Sequence, residues 1–329
     1  MKKLKLSVIG TSWITNSFLK GAALIENFVF DGVYSRTKER GKEFAKANGM
    51  TRHFTLLDEL CQSDTDCVYV ASPNAFHYEH CLALLQNGKH VLCEKPITVS
   101  LSQYLTLQKI ALESSLVFIE AIMYMHTPAR AALIKALSSI GKVHSASFDF
   151  SQLSSKYPAL MRGENPNIFN PLLKTGALND LGVYCVYPAI DLFSYPEKIT
   201  TTHHHIFTGA DGCGSSFFEY PDKLVTLTYS KVGQSHGVSQ IFGDKGTIAI
   251  KSISQLTDIS LFDNDGNENI IFGDMTKKEL MGHQAKSFYE FIAEPDKNKS
   301  RLTLCQNQAE SVVRAMDEMR KGYSISISQ

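Results

Sequence analysis

Short apolar runs alternate with amphipathic stretches through the first third of the chain. The run Leu4 to Ile9 has the character of a buried strand, apolar residues then recur at helical spacing from Ile14 to Ile25, and Val29 to Tyr34 forms a second apolar run. The alternation continues through the helical segments Thr37 to Asn48, Phe76 to Asn87 and Ser102 to Ser114, and through the strand segments Cys67 to Ala71, Val91 to Cys93 and Leu116 to Glu120. This pattern predicts an α/β domain over residues 1–122, in which helices cross between parallel strands.

The pattern changes beyond Gly141. Strand-like segments are now separated by Gly, Asp and Asn turns that are too short for crossover helices: Val143 to Phe150, Thr200 to Phe207, Ser215 to Tyr220, Leu224 to Ser230, Thr247 to Ile250 and Ile259 to Phe262. We therefore expect an α+β domain with a large, mostly antiparallel open sheet over residues 123–329. Two helices, Thr276 to Ala293 and Thr303 to Lys321, close the chain and either stay with this domain or pack back on the first.

Composition narrows the class of partner. Lys plus Arg and Asp plus Glu both number 33, so the chain has no basic field that would attract nucleic acid or an anionic membrane. The apolar run Leu6 to Ile9 is too short for a signal-peptide core, and no later run approaches a membrane span, so we expect a cytoplasmic protein that acts on small molecules. The seven cysteines form no C-x-x-C pair and are expected to be reduced core residues.

The turn after the first strand has the position of a phosphate-binding loop. A dinucleotide fold needs a tight turn and backbone N–H groups at this point, and the residues concerned are Gly10, Thr11, Ser12, Trp13 and Ile14. The match to G-x-G-x-x-G is incomplete, because Ser12 and Thr15 replace the second and third glycines. On these residues alone, an ordinary strand-to-helix turn capped by Ser12 or Thr11 explains the segment equally well.

The end of the second predicted strand favours a cofactor site. An acidic residue there would bind the ribose hydroxyls of NAD, whereas this chain has Ser35 and Arg36. A hydroxyl beside a guanidinium suits a 2′-phosphate, and one charge-assisted contact of this kind contributes about 1.5–3 kcal/mol. The sequence therefore predicts a Rossmann domain that binds NADP in preference to NAD, although Arg36 could instead be a solvated loop cation.

Two further segments carry a family resemblance. Ala71 to His77 contains Ser-Pro-Asn after one strand, and Gly88 to Pro96 ends in Glu94-Lys95-Pro96 after the next. Together they resemble the Gfo/Idh/MocA family, which groups glucose-fructose oxidoreductase, inositol dehydrogenases and dimeric dihydrodiol dehydrogenase. The resemblance covers nearly the whole chain, and the Glu-Lys-Pro motif is its most specific feature.

The resemblance implies that Lys95 lies beside the nicotinamide and the substrate hydroxyl. It also implies a cis bond before Pro96, and it implies that Ser72, Asn74, His77 and Glu94 contribute to the cofactor site. An independent physical reason supports Lys95: strand carboxyl ends face the ligand crevice of an open α/β sheet, and a cation placed where an alkoxide develops stabilises the transition state. His77, at the start of a helix, could equally be only a cap.

A second cluster, Gly176 to Tyr184, resembles the family segment in which an Asp, and a His or Tyr four residues later, face the substrate. Asp180 and Tyr184 would share one face of a helix, with the carboxylate orienting substrate or Lys95 and the phenol able to relay a proton. Tyrosine at this position resembles the dihydrodiol dehydrogenase branch, since many relatives have histidine. Whether Lys95 or Tyr184 is the main acid/base stays open.

Three other positions bear on the substrate pocket and on metal binding. Trp13, the only tryptophan, either covers the nicotinamide side of the pocket or fills a domain interface. Met125 stands where relatives often have an arginine. His203 to His205 could suggest a metal, but consecutive residues of a strand point to opposite faces, so no metal site is expected.

The sequence thus predicts hydride transfer between NADP(H) and a secondary alcohol or carbonyl of a sugar, cyclic polyol or dihydrodiol. By analogy with relatives, a homo-oligomer through the sheet of the second domain is expected. One alternative is a non-catalytic NADP-binding regulatory protein of the same fold, and another is an enzyme that keeps its nucleotide bound and passes hydride between two sugars.

Overall fold

The computed structural model describes residues 2–321 and contains two sheets. The first sheet is parallel throughout, in the order β3-β2-β1-β4-β5-β6. Its strands are β1 Leu4–Ile9, β2 Phe28–Tyr34, β3 Arg52–Phe54, β4 Cys67–Val70, β5 His90–Glu94 and β6 Phe118–Ala121. The central strands are buried on both faces, which is why they read as continuous apolar runs.

Helices connect the parallel strands of this sheet. They are α1 Trp13–Ala22, α2 Lys38–Ala47, α3 Leu57–Gln62, α4 His77–Gln86 and α5 Leu101–Glu113. The strand order is that of a dinucleotide-binding Rossmann domain, with the order reversing between β1 and β4. The expected parallel α/β domain is confirmed; the three-residue β3 and the short α3 were not anticipated.

Helices α6 Pro128–Leu137, α7 Tyr157–Met161 and α8 Val183–Phe193 lie in the second part of the chain. Its sheet has the order β14-β13-β12-β11-β7-β10-β9-β8. The strands are β7 Val143–Ser151, β8 Lys198–His205, β9 Asp211–Glu219, β10 Leu224–Ser230, β11 Ser239–Gly243, β12 Gly246–Ser252, β13 Thr257–Phe262 and β14 Glu268–Phe272. Among the described strands of this second sheet only β7 and β10 pair in parallel, so the expected mostly antiparallel sheet is confirmed.

Two helices end the described chain, α9 Lys277–Ala293 and α10 Pro295–Lys321. Contacts divide the described chain into two compact units: residues 2–126 together with Thr276–Glu310, and Thr127–Met275 together with residues 311–321. In the first unit α9 packs on α1. The second unit has its own core on one face of the antiparallel sheet, around Phe148, Leu227 and Ile248.

The remaining features concern cysteines and membrane spans. All seven cysteines are free thiols, and five of them are buried. Over residues 2–321, no helix combines the length and the apolar character needed to cross a membrane.

Candidate active site

The turn after β1 is built around Gly10. Its φ of +101° is strained for any residue with a side chain, and a Cβ added there would lie 2.6 Å from the Ala71 carbonyl oxygen. Ser12 is the N-cap of α1, but its hydroxyl contacts Thr15 Oγ1 at 3.4 Å and caps none of the described backbone N–H groups. The backbone at the start of α1 is therefore left open, as phosphate binding at a helix start requires.

The end of β2 presents a hydroxyl and a guanidinium. Ser35 is buried and its N–H donates to the Phe54 carbonyl at 3.0 Å, whereas Arg36 is exposed. The acidic residue of this strand, Asp31, lies inside it and pairs with Arg52. No carboxylate therefore occupies the position after β2, and the chain offers a cation to a ligand there.

The turn after β4 is held by two histidines of α4. His77 is buried, with Nδ1 2.9 Å from the Pro96 carbonyl oxygen and Nε2 2.8 Å from the Ser72 carbonyl oxygen. Burial lowers the pKa of His77, and the nearby charge of Lys95 lowers it further. His77 thus connects the turn after β4 to the turn after β5.

His80 was not singled out from the sequence. Its Nδ1 lies 2.9 Å from Ser72 Oγ, and burial, followed by the charges of His77 and Arg36, lowers its pKa to about 4. His80 is therefore neutral near pH 7 and orients the Ser72 hydroxyl. The next residue of the expected set, Asn74, begins a short 3₁₀ turn before α4.

The Glu-Lys-Pro segment begins at Glu94, the last residue of β5. Glu94 is buried and accepts hydrogen bonds from the Tyr69 hydroxyl and, at 3.3 Å, from the Lys95 N–H. Burial raises the pKa of Glu94, while Tyr69, Lys95 and Lys277 act in the opposite direction. The Lys95–Pro96 bond is cis, as the resemblance implied.

The parallel topology brings these turns together. The residues expected from the sequence lie at or after the carboxyl ends of β1, β2, β4 and β5, and the carboxyl ends of parallel strands meet at one edge of the sheet. They are Gly10, Thr11, Ser12, Trp13, Ile14, Ser35, Arg36, Ser72, Asn74, His77, Glu94 and Lys95. A glycine cradle, a cation after β2 and a lysine after β5 fit a bound dinucleotide phosphate chain and its nicotinamide end.

In the second unit Asp180 and Tyr184 lie on consecutive helical segments. Asp180 belongs to a π-helical turn, Leu178–Gly182, and Tyr184 to the first turn of α8, so the expected plain α-helix is wrong for Asp180. The wider turn forms where Leu178 N–H donates to Asp211 Oδ2 at 2.6 Å. Such turns within helices often occur at functional sites.

Asp180 forms an ion pair with Lys231, the residue directly after β10. The Lys231 side chain is 3% exposed, whereas that of Asp180 is 30% exposed. Tyr184 packs its ring edge-on against Phe150, with 5.4 Å between ring centroids. The arrangement leaves the carboxylate half-exposed with its orientation set by a buried cation. Only the chain's fold, and no local motif, brings Lys231 to this position.

Two segments of the chain match the two domains of a known protein family. Residues 4–121 match the GFO/IDH/MocA oxidoreductase family with an NAD-binding Rossmann fold, and residues 132–249 match the C-terminal domain of that family. The chain belongs to the GFO/IDH/MocA family. It is therefore an oxidoreductase by family, as the sequence predicted.

Named members of the GFO/IDH/MocA family include close matches. The chain is 35% identical over 98% of its length, and 98% of the relative, to scyllo-inositol 2-dehydrogenase (NADP(+)) of Bacillus subtilis (strain 168). It is 28% identical over 75% of both chains to trans-1,2-dihydrobenzene-1,2-diol dehydrogenase of Xenopus laevis. A 3-ketoreductase from Actinomadura kijaniata, crystallised with NADP and TDP-benzene, shares the fold with a TM-score of 0.84, 19% identity and 98% coverage of both chains.

His203 to His205 alternate across strand β8. His203 and His205 face one side of β8, with 6.2 Å between ring centroids, and His204 is exposed on the other. Over residues 2–321, no group of three or more His, Cys, Asp or Glu side chains could hold a metal ion.

Proposed function

We propose that this protein is an NADP-dependent oxidoreductase that transfers hydride between nicotinamide C4 and a secondary alcohol or carbonyl of a sugar, cyclic polyol or dihydrodiol. The observation that carries the proposal is the position of Lys95, at the carboxyl end of β5 on the sheet edge that also holds the Gly10 turn. A bacterial relative named as an NADP-dependent inositol dehydrogenase supports the cofactor and the substrate class.

The cofactor assignment rests on the end of β2. Arg36 and Ser35 are proposed to bind the 2′-phosphate, because a guanidinium and a hydroxyl match a phosphate and no carboxylate follows the strand to repel it. A single charge-assisted contact of about 1.5–3 kcal/mol favours NADP over NAD about tenfold or more. NAD is the less favoured cofactor, and the remaining residues of the sheet edge bind the rest of the dinucleotide.

The chemistry is proposed to depend on three side chains. When bound, the nicotinamide accepts or donates the hydride. Lys95 stabilises negative charge on the substrate oxygen, Asp180 orients the substrate, and Tyr184 relays the hydroxyl proton. In the oxidation direction the carbinol C–H pair leaves as hydride and the hydroxyl proton passes to Lys95 or Tyr184. General acid–base catalysis of this kind contributes about 10²–10⁴-fold.

A homo-oligomer through the second unit's sheet is also proposed. The outward face of that sheet carries Ser147, Thr226 and Phe217 in register, and Phe217 is 46% exposed. A wide, uncharged strip of this kind fits a second copy of the same face better than open solvent.

The test is the initial rate of NADP⁺ and NAD⁺ reduction with inositols, aldoses, polyols and trans-dihydrodiols. A rate with NADP⁺ on at least one of them is expected, and Lys95→Ala should lower it about 10²–10⁴-fold while NADPH binding persists. Lys109→Ala, which removes an exposed lysine of α5, is the control and should retain the rate. Tight NADPH binding without a rate on any substrate would favour the non-catalytic alternative.

A further inference from the structure

Lys277 lies beside the turn after β1 and has no role in the proposed hydride transfer. Lys277 is the first residue of α9, and its ammonium nitrogen lies 6.0 Å from the centroid of the Trp13 ring. Trp13 is the first residue of α1, directly after the Gly10 turn, and it is 70% exposed. The indole therefore presents one surface to Lys277 while much of it still faces solvent.

The contact between α1 and α9 is fixed by two glycines. A Cβ on Gly21 would lie 2.5 Å from the Met281 Cβ, and a Cβ on Gly282 would lie 2.8 Å from the Leu24 side chain. The backbones of the two helices thus approach as closely as glycine permits. The start of α9 is fixed as well, because Thr276 and Glu279 form a capping box, with Thr276 N–H donating to Glu279 Oε2 at 2.8 Å. Lys277 is consequently held beside the Gly10 turn.

Burial disfavours the charged form of Lys277 more than the neighbouring charges favour it. In the described part of the chain, no carboxylate lies within ion-pair distance of its ammonium group. Burial lowers the pKa of Lys277, the charge of Glu94 raises it, and the charge of Lys95 lowers it again. The positive end of the α9 dipole adds to this field. Glu94, whose charge raises the pKa of Lys277, already accepts a hydrogen bond from the Tyr69 hydroxyl and does not pair directly with Lys277.

We propose that Lys277 binds the diphosphate of the dinucleotide. Lys277 contacts the turn after β1 through Trp13 and acts electrostatically on Glu94 and Lys95 after β5, which is where the chain between the two nucleotides would run. Arg36, by contrast, follows β2, on the other side of β1 in the sheet. The two cations therefore serve different phosphates. The inference rests on the proposed NADP binding and assigns it a second anchor.

The experiment compares two ligands on the full-length protein. NADPH contains both the 2′-phosphate and the diphosphate, whereas adenosine 2′-monophosphate contains only the 2′-phosphate and has no phosphate on its 5′ carbon. Binding of each is measured by fluorescence titration or calorimetry. Lys277→Gln should weaken NADPH binding about tenfold or more and change the binding of adenosine 2′-monophosphate less than about twofold. Arg36→Gln should weaken both ligands.

Matched variants exclude a general effect of charge or folding. Lys278→Gln removes the neighbouring exposed lysine of the same helix and should leave both affinities unchanged. Lys277→Arg keeps a cation and should retain most of the NADPH affinity, and thermal melts should be alike for all variants. Unchanged NADPH binding in Lys277→Gln, or equal weakening of both ligands, would overturn the inference. If the wild-type protein bound neither ligand, the proposed function itself would fail.

Discussion

The pair formed by Asp180 and Lys231 joins a partly exposed carboxylate to a buried cation. Lys231 gives up most of its hydration, since its side chain is 3% exposed, whereas the Asp180 carboxylate keeps access to solvent. Breaking the pair therefore costs more free energy when it leaves the Lys231 ammonium without its partner than when it leaves the Asp180 carboxylate without one. An ionised group costs more free energy the more deeply it is buried.

We expect Asp180→Asn to destabilise the protein more than Lys231→Met does. The first change leaves a buried ammonium without this carboxylate, at a cost of about 1–3 kcal/mol or more, while the second leaves a carboxylate that water can still reach. Urea unfolding of the two variants and of the double variant measures the difference. Lys231→Met should also lower the turnover number while NADPH affinity is retained. Equal destabilisation by both single changes would contradict the asymmetry. Additive effects in the double variant would contradict the coupling between the two side chains.

Much of the candidate site could be predicted from short motifs. Gly10, Lys95 and Asp180 each stand in a segment whose residues and position after a predicted strand, or whose flanking pattern, indicate their chemistry. His80, Lys231 and Lys277 could not be predicted in this way. Lys231 meets Asp180 across 51 residues of sequence, and Lys277 meets Trp13 only after the chain has passed through the second unit. Such neighbours are determined by tertiary packing.

At the scale of elements, the close approach of α1 and α9 means that replacing Gly21 by alanine would change the free energy of unfolding in two opposite ways, through helix propensity and through steric overlap. Alanine has a higher helix propensity than glycine by about 1 kcal/mol, which by itself would make Gly21→Ala stabilising. The added Cβ would, however, lie 2.5 Å from Met281 Cβ and 2.6 Å from the Gly282 nitrogen, and overpacking of this kind costs about 1–3 kcal/mol.

We therefore expect Gly21→Ala to lower the free energy of unfolding despite its better helix propensity. The matched control is Gly41→Ala in α2, where the nearest atom to an added Cβ is Ser35 Cβ at 3.3 Å and a small adjustment suffices. Chemical denaturation of both variants gives the comparison. If Gly21→Ala were as stable as Gly41→Ala, the two helices would not be packed at glycine distance.

The elements that the sequence did not predict lack a long, regular apolar pattern. Strand β14 is an edge strand whose Ile270 is 71% exposed, so it has no alternating apolar pattern, and β11 is only five residues long. Helix α10 begins at Pro295, eight residues before the predicted start, because its first turns are polar and lack an apolar stripe. By contrast, β1 and β10 begin and end where the pattern placed them, since burial fixes their side-chain periodicity.

At the scale of the whole molecule, the proposed role of the open face of the second sheet in oligomerisation can be tested. We expect the wild-type protein to sediment as a homo-oligomer and Phe217→Arg to shift it toward the monomer, because a buried unpaired guanidinium opposes the interface. Analytical ultracentrifugation measures this. Leu172→Arg changes an 81%-exposed leucine outside the sheet and should not alter the mass. A monomeric wild type would remove the proposal for this face.

The division of each unit into two separate stretches of chain has a consequence for biosynthesis. Strands β1 to β6 leave the ribosome first, yet α9, which covers α1 through Gly21 and Gly282, is translated only after all of the second sheet. In the nascent chain the apolar flank of α1 therefore stays uncovered until residues 127–275 have been translated, a stage at which chaperone contact is most useful. A gene fragment that ends at His126 would encode the phosphate turn and Lys95, but it would retain that uncovered flank permanently.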